Sequence, residues 1–181
     1  MQAEPTPPKM RAEPTRLSVF CGFLGSCKTT FLRHQLRTGT LGKVALIINE
    51  AATVPVDPEL VPFVEVAVLA DGCACCTARA RLIDLLCQMT RSDAPPARIV
   101  LETSGLADPA PIAAAIKGTA ELTGRLVVSE VVTLVDAVHG AATLRQETLA
   151  RAQVTAADAL ILTKLDQSSP AMRRHWPRAC A

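Results

Sequence analysis

Short apolar runs recur along the chain, each followed by an amphipathic or polar stretch. Residues 17–21 (LSVFC) form the first run and 43–49 (KVALIIN) the second, continuous enough for a parallel strand buried on both faces. Residues 63–69 (FVEVAVL), 98–102 (RIVLE), 126–135 and 159–162 (ALIL) complete the strand-like set, with Ser129-Glu130 interrupting the fifth. Helical patterns lie between them. The pattern over 29–37 turns Phe31, Leu32 and Leu36 to one side and stops at Gly39; His34 reads as an exposed helix residue. Residues 77–90 set Leu82, Leu85, Leu86 and Met89 in one stripe at helical spacing, with Cys87 beside it as a core thiol. Residues 109–117 predict a helix with proline in its first turn, and 136–154 a longer one. Residues 50–62 hold three prolines and no helical period, so they read as a loop. Strand and helix alternate, which predicts an α/β domain with a mainly parallel sheet.

The junction between the first run and the first helix reads G-F-L-G-S-C-K-T-T over 22–30. Strand, glycine-rich turn and helix start, in that order, make a phosphate-binding P-loop. Gly22, Gly25, Ser26, Cys27, Lys28, Thr29 and Thr30 would form the cradle, with backbone N–H groups at the helix start directed at an anion. Lys28 would reach the β- and γ-phosphates and the Thr29 hydroxyl would ligate Mg²⁺. Cys27 departs from the pattern, which has glycine before the lysine. A side chain there crowds the phosphate, and a non-glycine residue held in a strained conformation costs about 1–3 kcal/mol. Its thiol, at a helix start beside Lys28, would occupy the place of a phosphate. Two readings stand together: a working P-loop, and a degenerate one that has kept only the strand-turn-helix frame.

Three further stretches carry chemistry. Cys73, Cys75 and Cys76 place three thiols within four residues, after the Asp71-Gly72 turn. Such a trio suits Zn²⁺ or another borderline transition-metal ion, and its missing fourth ligand suits a site that passes metal on; a redox-active or buried thiol group is the alternative. Glu102 ends an apolar run, where P-loop proteins place the acid that organises Mg²⁺ and water, and Gly105 would allow close approach to a γ-phosphate. Thr163-Lys164-Leu165-Asp166 follows the last run. There Asp166 would accept hydrogen bonds from guanine N1–H and the exocyclic amine, while the Lys164 stem lies along the base. Glu50, more than Asp57, is the candidate γ-phosphate sensor in the loop after the second strand.

Composition narrows the picture. A chain of 181 residues suggests one domain, and with 3% aromatic residues and no tyrosine its core must be aliphatic. The net charge of +2, with no basic run interleaved with aromatics, gives no argument for a nucleic-acid partner. The first fifteen residues hold four prolines and several charges without an apolar segment, and no run elsewhere reaches membrane-spanning length. The expected organisation is a disordered arm over 1–15, a domain over 16–166 and a short tail over 167–181. Seven cysteines beside a nucleotide motif, with no secretory signal, predict reduced thiols, a cytoplasmic location and no membrane partner.

Taken together, GFLGS-x-KTT, IINE, DGCACCT, LETSGLADPAPI, VVTLVDAVHG and LILTKLD resemble, in that order, the CobW-like metallochaperone GTPases, relatives of UreG and HypB. The similarity covers nearly all of 16–166. It implies a three-layer P-loop NTPase domain that binds GTP with Mg²⁺, hydrolyses it slowly, and couples that cycle to binding Zn²⁺ or Co²⁺ and delivering it to a client metalloprotein, not identified by the sequence. Carried over by position, Gly22, Gly25, Ser26, Lys28, Thr29 and Thr30 match the phosphate and Mg²⁺ loop. Cys73, Cys75 and Cys76 match the metal motif, with Cys75 and Cys76 as direct ligands. Glu102, Ser104 and Gly105 match the acid and switch element, and Lys164 and Asp166 the guanine motif. Lys28 and Glu102 are then the catalytic candidates, Glu102 acting through Mg²⁺ or the attacking water. Besides Cys27, the departures are Ala51-Ala52 in place of Phe-Gly, Thr163 in place of the asparagine of the general GTPase motif, and Trp176 where a short C-terminal segment has asparagine. The family's C-terminal domain has no counterpart in these residues. The alternative to a GTPase metallochaperone is a metal-binding module with a degenerate P-loop and no effective GTPase activity.

Overall fold

In chain order the elements are β1 (Thr15–Cys21), α1 (Lys28–Arg37), β2 (Ala45–Ile48), β3 (Glu65–Val68), α2 (Cys75–Arg91), β4 (Arg98–Glu102), α3 (Pro109–Lys117), β5 (Leu126–Asp136), α4 (Gly140–Gln146), α5 (Thr148–Thr155) and β6 (Ala159–Thr163). They come from a computed structural model that describes residues 13–48, 65–68 and 75–169, with the backbone alone for 65–68 and 75–77. The strands form one sheet in the order β3-β2-β4-β1-β5-β6, and every pairing in it is parallel. A parallel sheet needs helices on both faces, which is why its strands are mostly apolar.

Two hydrophobic clusters divide the strand residues by alternation. Leu17, Val19 and Cys21 of β1, Ala45 and Ile47 of β2, and Ile99 and Leu101 of β4 join Leu82, Leu86 and Met89 of α2 and Ile116 of α3 on one face. Phe20, Leu46, Ile48, Val100, Val132 and Leu134 join Leu32 and Leu36 of α1 on the other. The period of two within each strand therefore builds a three-layer α/β/α sandwich around β1. Cys87 packs against the first cluster, and His34 is exposed.

Several boundaries differ from the sequence reading, each for a local reason. The polar pair Ser129-Glu130 does not interrupt β5. The register of β1 against β5 passes from Leu17↔Val128 to Ser18↔Glu130, so Ser129 is a bulge residue inside a continuous strand. Both side chains are used across the sheet: Ser129 Oγ donates to Leu17 O at 3.0 Å, and Ser18 Oγ donates to Glu130 Oε1 at 2.7 Å. The long helix expected over 136–154 is two helices, because Glu147 is extended (φ −105°, ψ 114°). Arg151 secures the break by donating to the Leu144 and Arg145 carbonyls at 2.8 and 3.2 Å, which satisfies the end of α4. α2 begins at Cys75 rather than Thr77, since no proline or glycine intervenes to stop the helix earlier. α3 starts as its sequence predicts: Pro109 is at the first position and Asp108 Oδ1 accepts from Ala110 N at 3.0 Å.

Candidate functional site

The loop 22–27 leaves the C-terminal end of β1, the central strand, and closes on the N-terminus of α1. Only glycine fits at 22: a Cβ there would collide with the Leu134 carbonyl oxygen and lie 2.7 Å from Ser26 Oγ. Ser26 N donates to Phe23 O at 3.2 Å, closing the turn. Lys28 is 6% exposed, and its Nζ donates to Gly22 O at 3.0 Å, so its charge is held inside the loop. The first turn of α1 carries no acidic side chain, and Thr30 is exposed on it. Free N–H groups at a helix start and a sequestered cation together make an anion receptor. Cys27 adopts the left-handed conformation (φ 62°, ψ 32°) at the N-cap, and its side chain makes no capping hydrogen bond. This backbone conformation suits the glycine of the motif and costs a non-glycine residue about 1–2 kcal/mol.

β4 is the immediate neighbour of β1, and the register pairs Phe20 with Glu102. That pairing brings the Glu102 carboxylate, 1% exposed, to the start of α1, where Thr29 Oγ1 donates to Glu102 Oε1 at 2.5 Å. Two residues 73 positions apart thus meet beside the phosphate loop. The backbone then continues as a strap across the loop. Thr103 N donates to Phe20 O at 2.9 Å, and at Gly105 a Cβ would lie 2.7 Å from Leu24 Cδ2 and 3.0 Å from Leu24 N. Gly105 therefore permits a close approach, and in this structure the P-loop backbone occupies that near side. On its other flank the strap shares a cavity of about 350 Å³ with α2, lined by Ala78, Arg79, Leu82, Ser104, Leu106 and Asp108 among others.

The end of β6 packs on the same loop. Thr163 Oγ1 donates to Ser26 O at 3.2 Å, so the residue standing where the general motif has asparagine still ties the two motifs together. Lys164 is left-handed (φ 56°) and its Nζ donates to Asp136 Oδ2 at 2.7 Å. Asp166 is exposed in the turn that follows. Asp136, read from the sequence as a helix start, is instead the last residue of β5, and its Oδ1 accepts from Val138 N and His139 N at 2.7 and 3.1 Å. Burial works against the Asp136 charge. The Lys164 ammonium and the two backbone donors outweigh it and hold the carboxyl below its ordinary value. The Asp136 hydrogen bond in turn raises Lys164, against a smaller opposing effect of burial.

Behind the loop lies a cavity of about 190 Å³ walled by Phe23, Leu24, Leu134, Leu144, Val154 and Gln153 among others. Gln153, absent from the sequence reading, is 1% exposed there. Its only sequence signal was a polar residue on the inward side of a short helix. Burial raises the Cys21 thiol, keeping it protonated beside Thr133 at 2.9 Å, while Thr133 Oγ1 donates to Gln153 O at 2.8 Å.

Of the thiol trio, Cys73 lies outside the described residues, as do Glu50 and Asp57, and for Cys75 and Cys76 the backbone alone is described. That backbone forms the first turn of α2, not a loop ahead of it. Among the described residues no three metal-ligating side chains converge. None of the described helices is long and apolar enough to cross a membrane.

A parallel sheet with a P-loop after its central strand, an acid beside the loop threonine and a lysine-bearing turn after β6 define a P-loop nucleotide-binding domain. The chain belongs to the CobW/HypB/UreG family, whose nucleotide-binding domain model matches residues 16–177. It is 36% identical over 168 residues to the zinc chaperone YjiA of Escherichia coli (strain K12), covering 90% of this chain and 53% of that protein. It is 31% identical over 179 residues to the zinc chaperone CobW of a Sinorhizobium species, covering 82% of this chain and 50% of that one. The crystal structure of Zn(II)-bound YjiA GTPase from E. coli superposes with a TM-score of 0.70 at 32% identity, over 91% of this chain and 54% of that one. The chain thus spans about half the length of these relatives.

Proposed function

We propose that this chain binds GTP with Mg²⁺, hydrolyses it slowly, and uses the nucleotide state to control binding and release of Zn²⁺, or Co²⁺, at Cys73, Cys75 and Cys76. The ion then passes to a client metalloprotein in the cytoplasm. The observation that carries this reading is the strap 102–108. It starts at Glu102 beside Thr29, rests on the P-loop at Leu24, and shares a cavity with Ala78, Arg79 and Leu82, in the first turns of the helix that begins at Cys75-Cys76. A ligand that moves the strap therefore moves the surroundings of those cysteines.

In this reading Lys28 exchanges its bond to Gly22 O for the β- and γ-phosphate oxygens. The Thr29 hydroxyl and Glu102 carboxylate, already in contact, fit a hard cation that takes oxygen ligands, and would hold Mg²⁺. Bound there, Mg²⁺ supplies neutralisation of charge on the phosphates. Glu102 orients the attacking water, and Gly105 offers a backbone N–H to the γ-phosphate as the strap shifts off Leu24. Asp166 reads the guanine edge, and Asp136 fixes Lys164 so that its stem flanks the base. Catalysis by such a site is positioning and electrostatics, with no side chain needed as a strong base.

A second reading is favoured by the left-handed Cys27: the loop has lost tight nucleotide binding and the thiol trio alone functions. Isothermal titration with GTP and Mg²⁺ separates the two. The proposal expects saturable binding that is lost in Lys28→Ala at unchanged far-UV circular dichroism. No binding by the unaltered chain contradicts it and supports the metal-only module.

A further inference from the structure

Gln153 sits on α5, outside every motif of the nucleotide site, yet it is among the least exposed polar residues described, at 1%. Its carboxamide spends both N–H groups on one target. Nε2 donates to Gly105 O at 3.1 Å and to Ala107 O at 2.9 Å, across sequence separations of 48 and 46. These are two carbonyls of the strap that follows Glu102. The same strap is pressed on Leu24 of the P-loop, where Gly105 leaves no room for a Cβ. Gln153 is itself anchored, because its carbonyl accepts from Thr133 Oγ1 of β5 at 2.8 Å. No donor among the described residues reaches its Oε1, which lies beside the cavity behind the P-loop. Burying an amide with one end unsatisfied costs free energy. The two bonds to the strap are what the side chain gains in that place.

We propose that Gln153 is a positioning residue that clamps the strap 104–107 from α5, fixing how far Gly105 stands from the phosphate loop. Two N–H bonds from one planar group to carbonyls two residues apart fix both the depth and the rotation of the segment. Without them the strap keeps its contact with Leu24 but loses the two bonds that tie it to α5. The catalytic consequence rests on the GTPase reading above; the clamp itself does not.

Amide hydrogen exchange of the nucleotide-free protein tests the clamp, and GTP turnover tests its consequence, in Gln153→Leu and Gln153→Asn. The asparagine keeps a polar amide in place but is one methylene too short to span both carbonyls. Exchange at residues 104–107 is expected to quicken roughly ten-fold in both variants while β1 and β4 amides keep their rates. Turnover is expected to fall about ten-fold in kcat, with KM and GDP affinity within about two-fold. Unchanged exchange at 104–107 in Gln153→Asn, or an equal rise throughout the sheet in both variants, overturns the proposal. If exchange quickens locally but the unaltered chain turns over no GTP, the clamp stands and the GTPase reading is what fails.

Discussion

Cys27 is where one side chain sets a limit on the site. Its φ of 62° is a glycine conformation imposed by the loop, and the residue accepts it without a compensating cap bond. Cys27→Gly removes a penalty of about 1–2 kcal/mol and adds back about 0.5–1 kcal/mol of unfolded-chain entropy. Urea denaturation is therefore expected to show a modest gain, up to about 1.5 kcal/mol, together with tighter GTP binding from the uncrowded loop. Equal affinity in both proteins would show that the thiol is no obstacle. Asp136 makes a second prediction. Its folded pKa lies below the unfolded value of about 3.9, so its stabilisation is complete above that pH and is lost as pH falls through the folded pKa. Lys164 contributes at the other end, below its unfolded value of about 10.4, and its share is lost as pH rises through the raised folded pKa. Asp136→Asn should cost about 1.5–3 kcal/mol at neutral pH, and the gap to the unaltered protein should begin to narrow below about pH 4 and shrink further as the pH falls through the lowered folded pKa. A gap that does not narrow at all as the pH is lowered from about 4 would locate the loss in packing rather than charge.

Among the elements, those with strong local signals were legible and those decided by their neighbours were not. β4 and α3 match the bounds read from the sequence, because an apolar run ending in Glu102 and a proline at a helix start are local facts. The continuity of β5 depended on Ser18 and Arg98, cross-strand partners of Glu130 that sequence order does not reveal. The break at Glu147 depended on Arg151 reaching back to α4. The P-loop, the acid after β4 and the turn after β6 were legible because each is a motif contiguous in sequence. Asp136 and Gln153 were not, since each acts through a partner at least 28 residues away. The α3 cap offers an element-level check. Asp108→Ala should destabilise the protein by about 1 kcal/mol, and Asp108→Gly by only a few tenths of a kcal/mol. Asp108 also borders the strap, so an Asp108→Ala loss well above 2 kcal/mol in thermal unfolding would assign it a larger role than capping.

For the molecule as a whole, the parallel order of the sheet places the P-loop, Glu102, Asp136 and Lys164 together at the C-terminal ends of neighbouring strands. The strap after β4 then runs from that edge toward α2, whose first residues are Cys75 and Cys76. On the proposed function, a triphosphate at one end changes the grip on metal at the other. Coupling of this kind is reciprocal, and for two sites joined by one strap it is expected on the order of 1–3 kcal/mol, a factor of about 5–150 in affinity. The decisive measurement is the Zn²⁺ affinity of the protein, by competition with a chelating dye, with saturating GTP and Mg²⁺ and again without nucleotide. A shift of at least about five-fold is expected, absent from Lys28→Ala and from a Cys75→Ala, Cys76→Ala double variant. Identical zinc affinity in the two conditions, in protein that binds GTP, would contradict it.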